Sequence, residues 1–383
     1  MNKLRDGVDM FVVSEPELIR DVGTRNNALN EILTFYLQFN NTVTYFSASM
    51  GAQDFSARGV RYVSLSSYTK KSRVILSQYY SIRRRFRSLL AEFCDVHVQF
   101  RLPSIYVMQI YMIVRDLIPP QNVSFYIAGD WSESLRYNYP NRPHLSRWLP
   151  KLQDKMISGS VCVFTGDTLK NKNIGGVSRG FSFYSTTHCK QDVPHAITNK
   201  SDKRGICFVG RIEKLKNYKF FIELAKSTCF VNEYVFHILG DGPDADLVRT
   251  AAASGDVENL VVHGHIDDRA RFNQVVSQCK YFVLCSYTEG TSKALPEMMC
   301  RSTVPIAFRG VGSNTDILSF ENGFLAELDD VSSVVGFINK MDGDEQEYIQ
   351  VLKAGLSYAE NNSIDSQLSR MFEFLYSSEG GLQ

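Results

Sequence analysis

Residues 281–308 read YFVLCSYTEGTSKALPEMMCRSTVPIAF. The apolar run YFVLCS (281–286) has the length and composition of a buried strand, and Tyr287 to Ser292 form a loop of small and polar residues. A helix follows from about Lys293 through Cys300, with Pro296 in its first turn, where few intrahelical donors are lost. VPIAF (304–308) is a second buried strand. Strand, helix and strand joined this tightly call for a parallel sheet. The layout aims backbone N–H groups at whatever lies above the strand end, and those groups attract anions. Glu289 and Glu297 flank the small residues; on one continuous helix they would sit ~12 Å apart along the axis and ~80° apart around it. They could not grip one atom together, and Gly290 with Pro296 bends the segment. A long ligand with an anionic middle and hydroxyl-bearing ends satisfies this arrangement.

The same alternation extends outward. GICFVG (205–210), YVFHILG (234–240) and LVVHGH (260–265) read as strands, separated by NYKFFIELAKS, DADLVRTAAAS and RARFNQVVSQC as helices. A fainter version occupies the first half: MFVVSE (10–15), VTYFSA (43–48), VRYVSL (60–65), DVHVQF (95–100), VSFYIAG (123–129) and VCVFTG (161–166), with ALNEILTFYLQF and the region around RVILSQYYSIRRRFRSLLAEF as helices. The polar stretch 189–204 reads as a linker. The expected domains are residues 1–195 and 196–360, with a final helix in 361–383 that packs back on the first. Two doubly wound α/β domains create one cleft faced by both sets of strand ends, where ligands of such sheets gather.

With 383 residues, 44% hydrophobic and 22% charged, the chain has a sizeable core. A formal net charge of +1 nominates no nucleic acid partner. The 8 cysteines lack C-x-x-C spacing and several lie in apolar runs, which indicates buried thiols and a reducing compartment. MNKLRDGVDMFVV lacks the apolar core of a signal peptide and no run of about 18 apolar residues is present, so the expected location is cytoplasmic.

Four constellations follow the strands of the second half. GRIEKLKN (210–217) puts Arg211 and Lys216 beyond Gly210, either as a clamp for a diphosphate or as a solvated basic loop. LGDGPDAD (239–246) is a strand-to-helix turn whose acids suit the helix start better than catalysis. In HGHIDD (263–268), His263 or His265 is a candidate base, while the backbone of Gly264 to Ile266 suits a flat base equally well; no partner at metal-ligand spacing is present, so no metal is expected. FRGVGSNTDIL (308–318) and NGFL (322–325) add rim loops.

This ordered set resembles the donor domain of retaining GT-B glycosyltransferases, in particular the large family 4 (glycosyl transferases group 1), from Gly205 to roughly Asp330. The resemblance implies a GT-B architecture and transfer of a sugar from a nucleotide diphosphate sugar, UDP favoured over GDP, to an acceptor hydroxyl with retention, in polysaccharide or glycolipid synthesis. It implies Glu289 against the donor sugar, Arg211 and Lys216 on the diphosphate, Glu297 on the ribose, and base contacts from Gly264, His265 and Ile266. N–H groups around Gly290, Thr291, Ser292 and Leu295 would touch sugar or phosphate. No cofactor beyond the co-substrate and no metal is implied. Two departures stand out: Asn217 replaces the usual glycine after the lysine, and Thr291–Ser292 replaces an aromatic–glycine pair.

Acceptor recognition then falls to the first domain, for a saccharide or lipid-linked saccharide. DVGTRNNALNEIL (21–33) takes the place of a glycine loop that approaches the diphosphate, making Gly23, Thr24 and Arg25 candidates; AGDWSES (128–134) offers Asp130, with Gly129 where a histidine is usual. KKSRVILSQYYSIRRRFRS (70–88) concentrates cations among aromatics, as a solvated helix face or a peripheral contact with the inner face of a membrane. The rival functions are a sugar-nucleotide epimerase of the same architecture, using His263 and Asp130, and a non-catalytic nucleotide-sugar-binding partner. A dinucleotide-dependent oxidoreductase is disfavoured by the lack of G-x-G-x-x-G after MFVVSE.

Overall fold

The computed structural model describes residues 8–24, 26–49, 54–67, 78–139, 141–194, 203–227, 230, 233–255 and 257–377. The chain forms two compact units, residues 1–183 with 367–383, and residues 184–366.

The first unit holds strands β1 (Asp9–Val13), β2 (Leu18–Ile19), β3 (Gly23–Thr24), β4 (Val43–Ser49), β5 (Phe55–Ala57), β6 (Val60–Ser67), β7 (Val96–Leu102), β8 (Val123–Ile127), β9 (Val161–Thr165) and β10 (Arg179–Phe183). Eight of them make one sheet in the order β10-β9-β8-β7-β1-β4-β6-β5, parallel apart from the β5–β6 hairpin. The central strand β1 is buried throughout its length because both faces are covered, which is why DMFVV shows no apolar–polar alternation.

The second unit holds β11 (Gly205–Val209), β12 (Val235–Leu239), β13 (Leu260–Gly264), β14 (Cys279–Leu284), β15 (Val304–Phe308) and β16 (Phe324–Ala326). They form a fully parallel sheet in the order β13-β12-β11-β14-β15-β16. Relabelled from its own first strand, this is the 3-2-1-4-5-6 order of the Rossmann fold. Helices Tyr218–Ala225, Ala245–Ala253, Arg269–Ser277 and Ala294–Cys300 fill the crossovers. The last of these buries Leu295, Pro296, Met298, Met299 and Cys300, so nearly the whole helix is core.

Every apolar run named from the sequence forms a strand. The additional strands are two to five residues long, and β10 (RGFSF) carries an arginine and a glycine, so its apolar signal is weak. The expected boundary at 195 also moves. Tyr184 already belongs to the second unit, where the His188 ring binds the Ala359 carbonyl at 2.7 Å and Lys190 N–H binds Asp365 at 3.0 Å. Val193 lies in that unit's core, so the first part of the polar stretch is packed chain rather than linker, and residues 195–202 lie outside the described residues. The final helix, Ile364–Tyr376, enters the first unit from Gln367 onward: Phe372 stacks on Phe39 with ring centroids 5.2 Å apart.

Candidate active site

The winding of the second sheet reverses between β11 and β14, so the loops after these neighbouring strands diverge and leave a crevice at the strand ends. Lys216 comes from the loop after β11 and Glu289 from the loop after β14. Their side chains meet there, Nζ to Oε1, at 2.6 Å, and are 27% and 12% exposed. A main-chain bond from Tyr287 N–H to the Leu215 carbonyl, 2.9 Å, holds the two loops in register. Asn217, directly after the lysine, has φ 51° and ψ 41°, the left-handed region that Asn enters more readily than other side-chain-bearing residues. That explains the departure at this position: Asn217 keeps the glycine-type turn and adds a bond from Nδ2 to Asp329 Oδ1 at 2.8 Å. Tyr287 reaches the same carboxylate, 3.2 Å away.

The rim is laced by main-chain bonds. Gly210 N–H donates to the Leu239 carbonyl at 3.0 Å, Ile212 to Asp241 at 2.9 Å, and Gly240 to Gly264 at 2.8 Å. A Cβ added at Gly240 would lie 1.9 Å from the Gly210 carbonyl oxygen, so this approach requires glycine. Ile212 is fully buried and anchors the loop, whereas the Arg211 side chain is 64% exposed and lies 3.7 Å from Glu213.

The loop carrying Glu289 is fastened to the one after β15. Gly290 accepts from Ser313 N–H at 3.2 Å, and Ser292 N–H donates to Ser313 Oγ at 3.0 Å. Ser292 Oγ donates to Asn314, whose amide in turn donates to the Phe308 carbonyl at 2.9 Å. Lys293 N–H goes to Thr291 and Leu295 N–H to Ser292. The N–H groups of Ser292 and Leu295, expected to touch a ligand, are therefore engaged inside the protein, as is that of Lys293, and the Leu295 side chain is core. Ser292 is a brace: its buried hydroxyl ties this loop to the one after β15, which accounts for the serine of the second departure. Glu297 accepts a hydrogen bond from Thr187 Oγ1. Nothing in TTHC (186–189) signals Thr187 in the sequence, because its neighbour is 110 residues away.

The histidines separate by environment. His263 stacks on His237, ring centroids 5.2 Å apart and Nδ1 to Nε2 3.0 Å. Burial, with His263 alongside, pushes the His237 pKa down to about 4, and burial also lowers that of His263. His265 is exposed and pairs with Asp267 at 3.0 Å, and Ile266 packs partly against the core. Among the described residues, no group of three or more His, Cys, Asp or Glu is placed to hold a metal ion.

In the first unit the winding reverses between β1 and β7. A cavity of about 390 Å³ opens there, lined among others by Ser14, Glu15, Asn26, Arg101 and Ser104. The Arg101 guanidinium lies 3.9 Å from the Tyr126 ring centre and, among the described residues, has no carboxylate in ion-pair contact. Ser104 and Asn26 cap the helices Ile105–Val114 and Asn27–Tyr36, neither of which has an acidic residue in its first turn. The cavity rim thus combines the Arg101 cation and two helix N-termini with the Glu15 carboxylate. Arg101 follows the run DVHVQF just as Arg211 follows GICFVG, and the rule that nominated Arg211 also applies to it.

The other first-domain candidates have internal duties. Gly23 has φ 119°, and a Cβ there would come within 2.8 Å of both Asn30 Oδ1 and Tyr62 OH. Thr24 is fully buried; its N–H and carbonyl bind the Asn30 amide at 2.7 and 2.9 Å, and its hydroxyl binds the Asn26 carbonyl at 3.0 Å. It has no donor left for a ligand. Arg25 lies outside the described residues. Asp130 accepts from Ser132 N–H at 2.8 Å at the start of helix Trp131–Asn138 and pairs with Lys172, which makes it a helix cap. Of the basic segment 70–88, residues 70–77 lie outside the described residues. Helix Tyr79–Leu90 turns Ile82, Phe86 and Leu89 into the core, and Arg83 forms a two-pronged pair with Asp116. That apolar face is not available to a membrane.

Two Rossmann-like units, each with its crevice at the reversal of winding, are the GT-B class of fold. Residues 190–355 match the family model described as glycosyl transferases group 1. No curated protein matches the chain. Among solved structures, a sucrose-phosphate synthase from Thermosynechococcus elongatus superposes with a TM-score of 0.70 at 12% identity, covering 97% of this chain and 100% of that one. HepE of Anabaena in complex with UDP gives 0.69 at 10% identity, covering 95% and 99%. The lipopolysaccharide outer core galactosyltransferase WaaB, in its apo form, gives 0.65 at 14% identity, covering 95% and 98%.

Proposed function

We propose that the protein is a retaining, metal-independent glycosyltransferase that moves a hexosyl group from a nucleoside diphosphate sugar, a UDP-sugar before a GDP-sugar, to an acceptor hydroxyl. The observation that carries this reading is the Lys216–Glu289 pair at the switch point of the second sheet. In a half-buried crevice a cation and a carboxylate in contact suit a ligand that has a diphosphate joined to a polyol. Lys216, with the exposed Arg211, neutralises the diphosphate as it leaves. Glu289 accepts from sugar hydroxyls, and Glu297, steadied by Thr187, accepts from the ribose.

Retention follows from front-face transfer. The acceptor oxygen bonds to the anomeric carbon on the side from which the phosphate departs, the carbon–phosphate oxygen bond breaks, and the acceptor proton passes to the departing phosphate oxygen. The cations stabilise the charge that develops before that proton arrives. The cavity beside Arg101 is the acceptor's place in this reading.

Incubation with a panel of nucleotide sugars and saccharide acceptors, in chelator, tests each part. We expect release of the nucleoside diphosphate and a product whose anomeric configuration, read by NMR, matches the donor's. An inverted product rejects the retaining mechanism, loss of turnover in chelator rejects metal independence, and an epimerised donor formed without acceptor rejects transfer itself.

A further inference from the structure

The helix Pro143–Ile157 in the first unit has one face packed inward, with Gln153 and Ile157 buried and Leu149 and Met156 against the core. Its opposite face is unusual. At 100° per residue, His144, Trp148, Lys151, Leu152 and Lys155 fall within an arc of about 100°. Trp148 is 76% exposed and Leu152 54% exposed, one turn apart. Arg147 borders the same face, and Arg142 precedes the helix; all four cations are exposed, and none is in an ion pair among the described residues. The helix's single acid, Asp154, forms no ion pair with them among the described residues.

We propose that this face is a peripheral docking surface for an anionic lipid bilayer. An exposed tryptophan and leucine lack a stabilising environment in water, while an indole at the headgroup level finds both apolar and polar contacts. Cations around an apolar centre match a negatively charged leaflet, whereas a nucleic acid offers nothing to Leu152. Among the described residues no helix is long and apolar enough to cross a membrane, so the contact is superficial. This is a different surface from the 79–90 helix, which turns Ile82, Phe86 and Leu89 into the core. It does not depend on the donor chemistry proposed above.

The chain has two tryptophans, and Trp131 is buried, so a change in emission on lipid binding reports Trp148. With the full-length protein and phosphatidylcholine vesicles, with and without phosphatidylglycerol, we expect flotation and a blue shift only when phosphatidylglycerol is present, both weakened by high salt. Trp148→Ala with Leu152→Ala should reduce binding about tenfold, and each of Lys151→Ala and Lys155→Ala about fivefold. Circular dichroism should remain unchanged, because all four positions are exposed. Equal binding to neutral vesicles, binding to neither kind, binding unaffected by these variants, or a preference for duplex DNA over vesicles overturns the proposal.

Discussion

The contact between Lys216 and Glu289 serves two purposes that mutagenesis can separate. Lys216→Met alone leaves a carboxylate with little access to water without its partner, and should lower stability by about 1–3 kcal/mol and turnover by about 10²–10³-fold. Lys216→Met with Glu289→Met replaces both charges by apolar groups and should recover most of the stability but none of the turnover. Denaturant melts beside a nucleotide-release assay read both outcomes; a double variant that stays active removes the catalytic assignment. At Asn217, Ala should be less stable than Gly by about 1 kcal/mol, because only Gly occupies the left-handed region without a Cβ penalty. The histidines supply a pH signature. His188, His237 and His263 all have pKa values lowered by burial. The unfolded chain then takes up protons below about pH 6.5 that the folded one refuses. Stability should therefore be complete above that pH and fall between there and about 4, with His237→Leu flattening part of the slope in urea midpoints measured across the range.

At the scale of elements, the strand-ending loops determine where the cations and carboxylates sit, and their closeness is set by backbone contacts. Gly240→Ala should cost about 1–3 kcal/mol through its clash with the Gly210 carbonyl. It should also weaken nucleotide binding, since the loop carrying Arg211 must shift. A variant with unchanged melting temperature and affinity would show that the loops are not coupled. These loops also mark where sequence reading stops. GR, GDGP, HGH and the two glutamates were legible because glycine and charge after an apolar run form a local pattern. Thr187 beside Glu297, Asp329 beside Asn217, and Ser313 and Asn314 under Ser292 were not, because each contact joins segments far apart in the chain. Asp130 shows a related limit: an acid after a strand serves equally as a ligand contact or as the cap of the next helix, and the bond from Ser132 N–H, which reveals the capping role, is not written in the sequence.

For the whole molecule, the two units divide the proposed labour and can be tested separately in the intact chain. A nucleoside diphosphate present at about a hundred times its dissociation constant should stabilise the protein by about 2.7 kcal/mol. Arg211→Ala and Glu297→Ala should abolish that shift, while Arg101→Ala should leave it intact and reduce transfer to the acceptor. An Arg101→Ala variant that loses the nucleotide shift would place Arg101 with the donor instead. By itself the sequence determined the α/β class, the long apolar strands of both sheets and the order of charged loops, because burial on both faces writes a parallel strand as a continuous apolar run. Only the tertiary structure decided which charges touch, which backbone donors are already used, and which helix leaves its tryptophan in water. Those outcomes depend on distances between segments that no local pattern encodes.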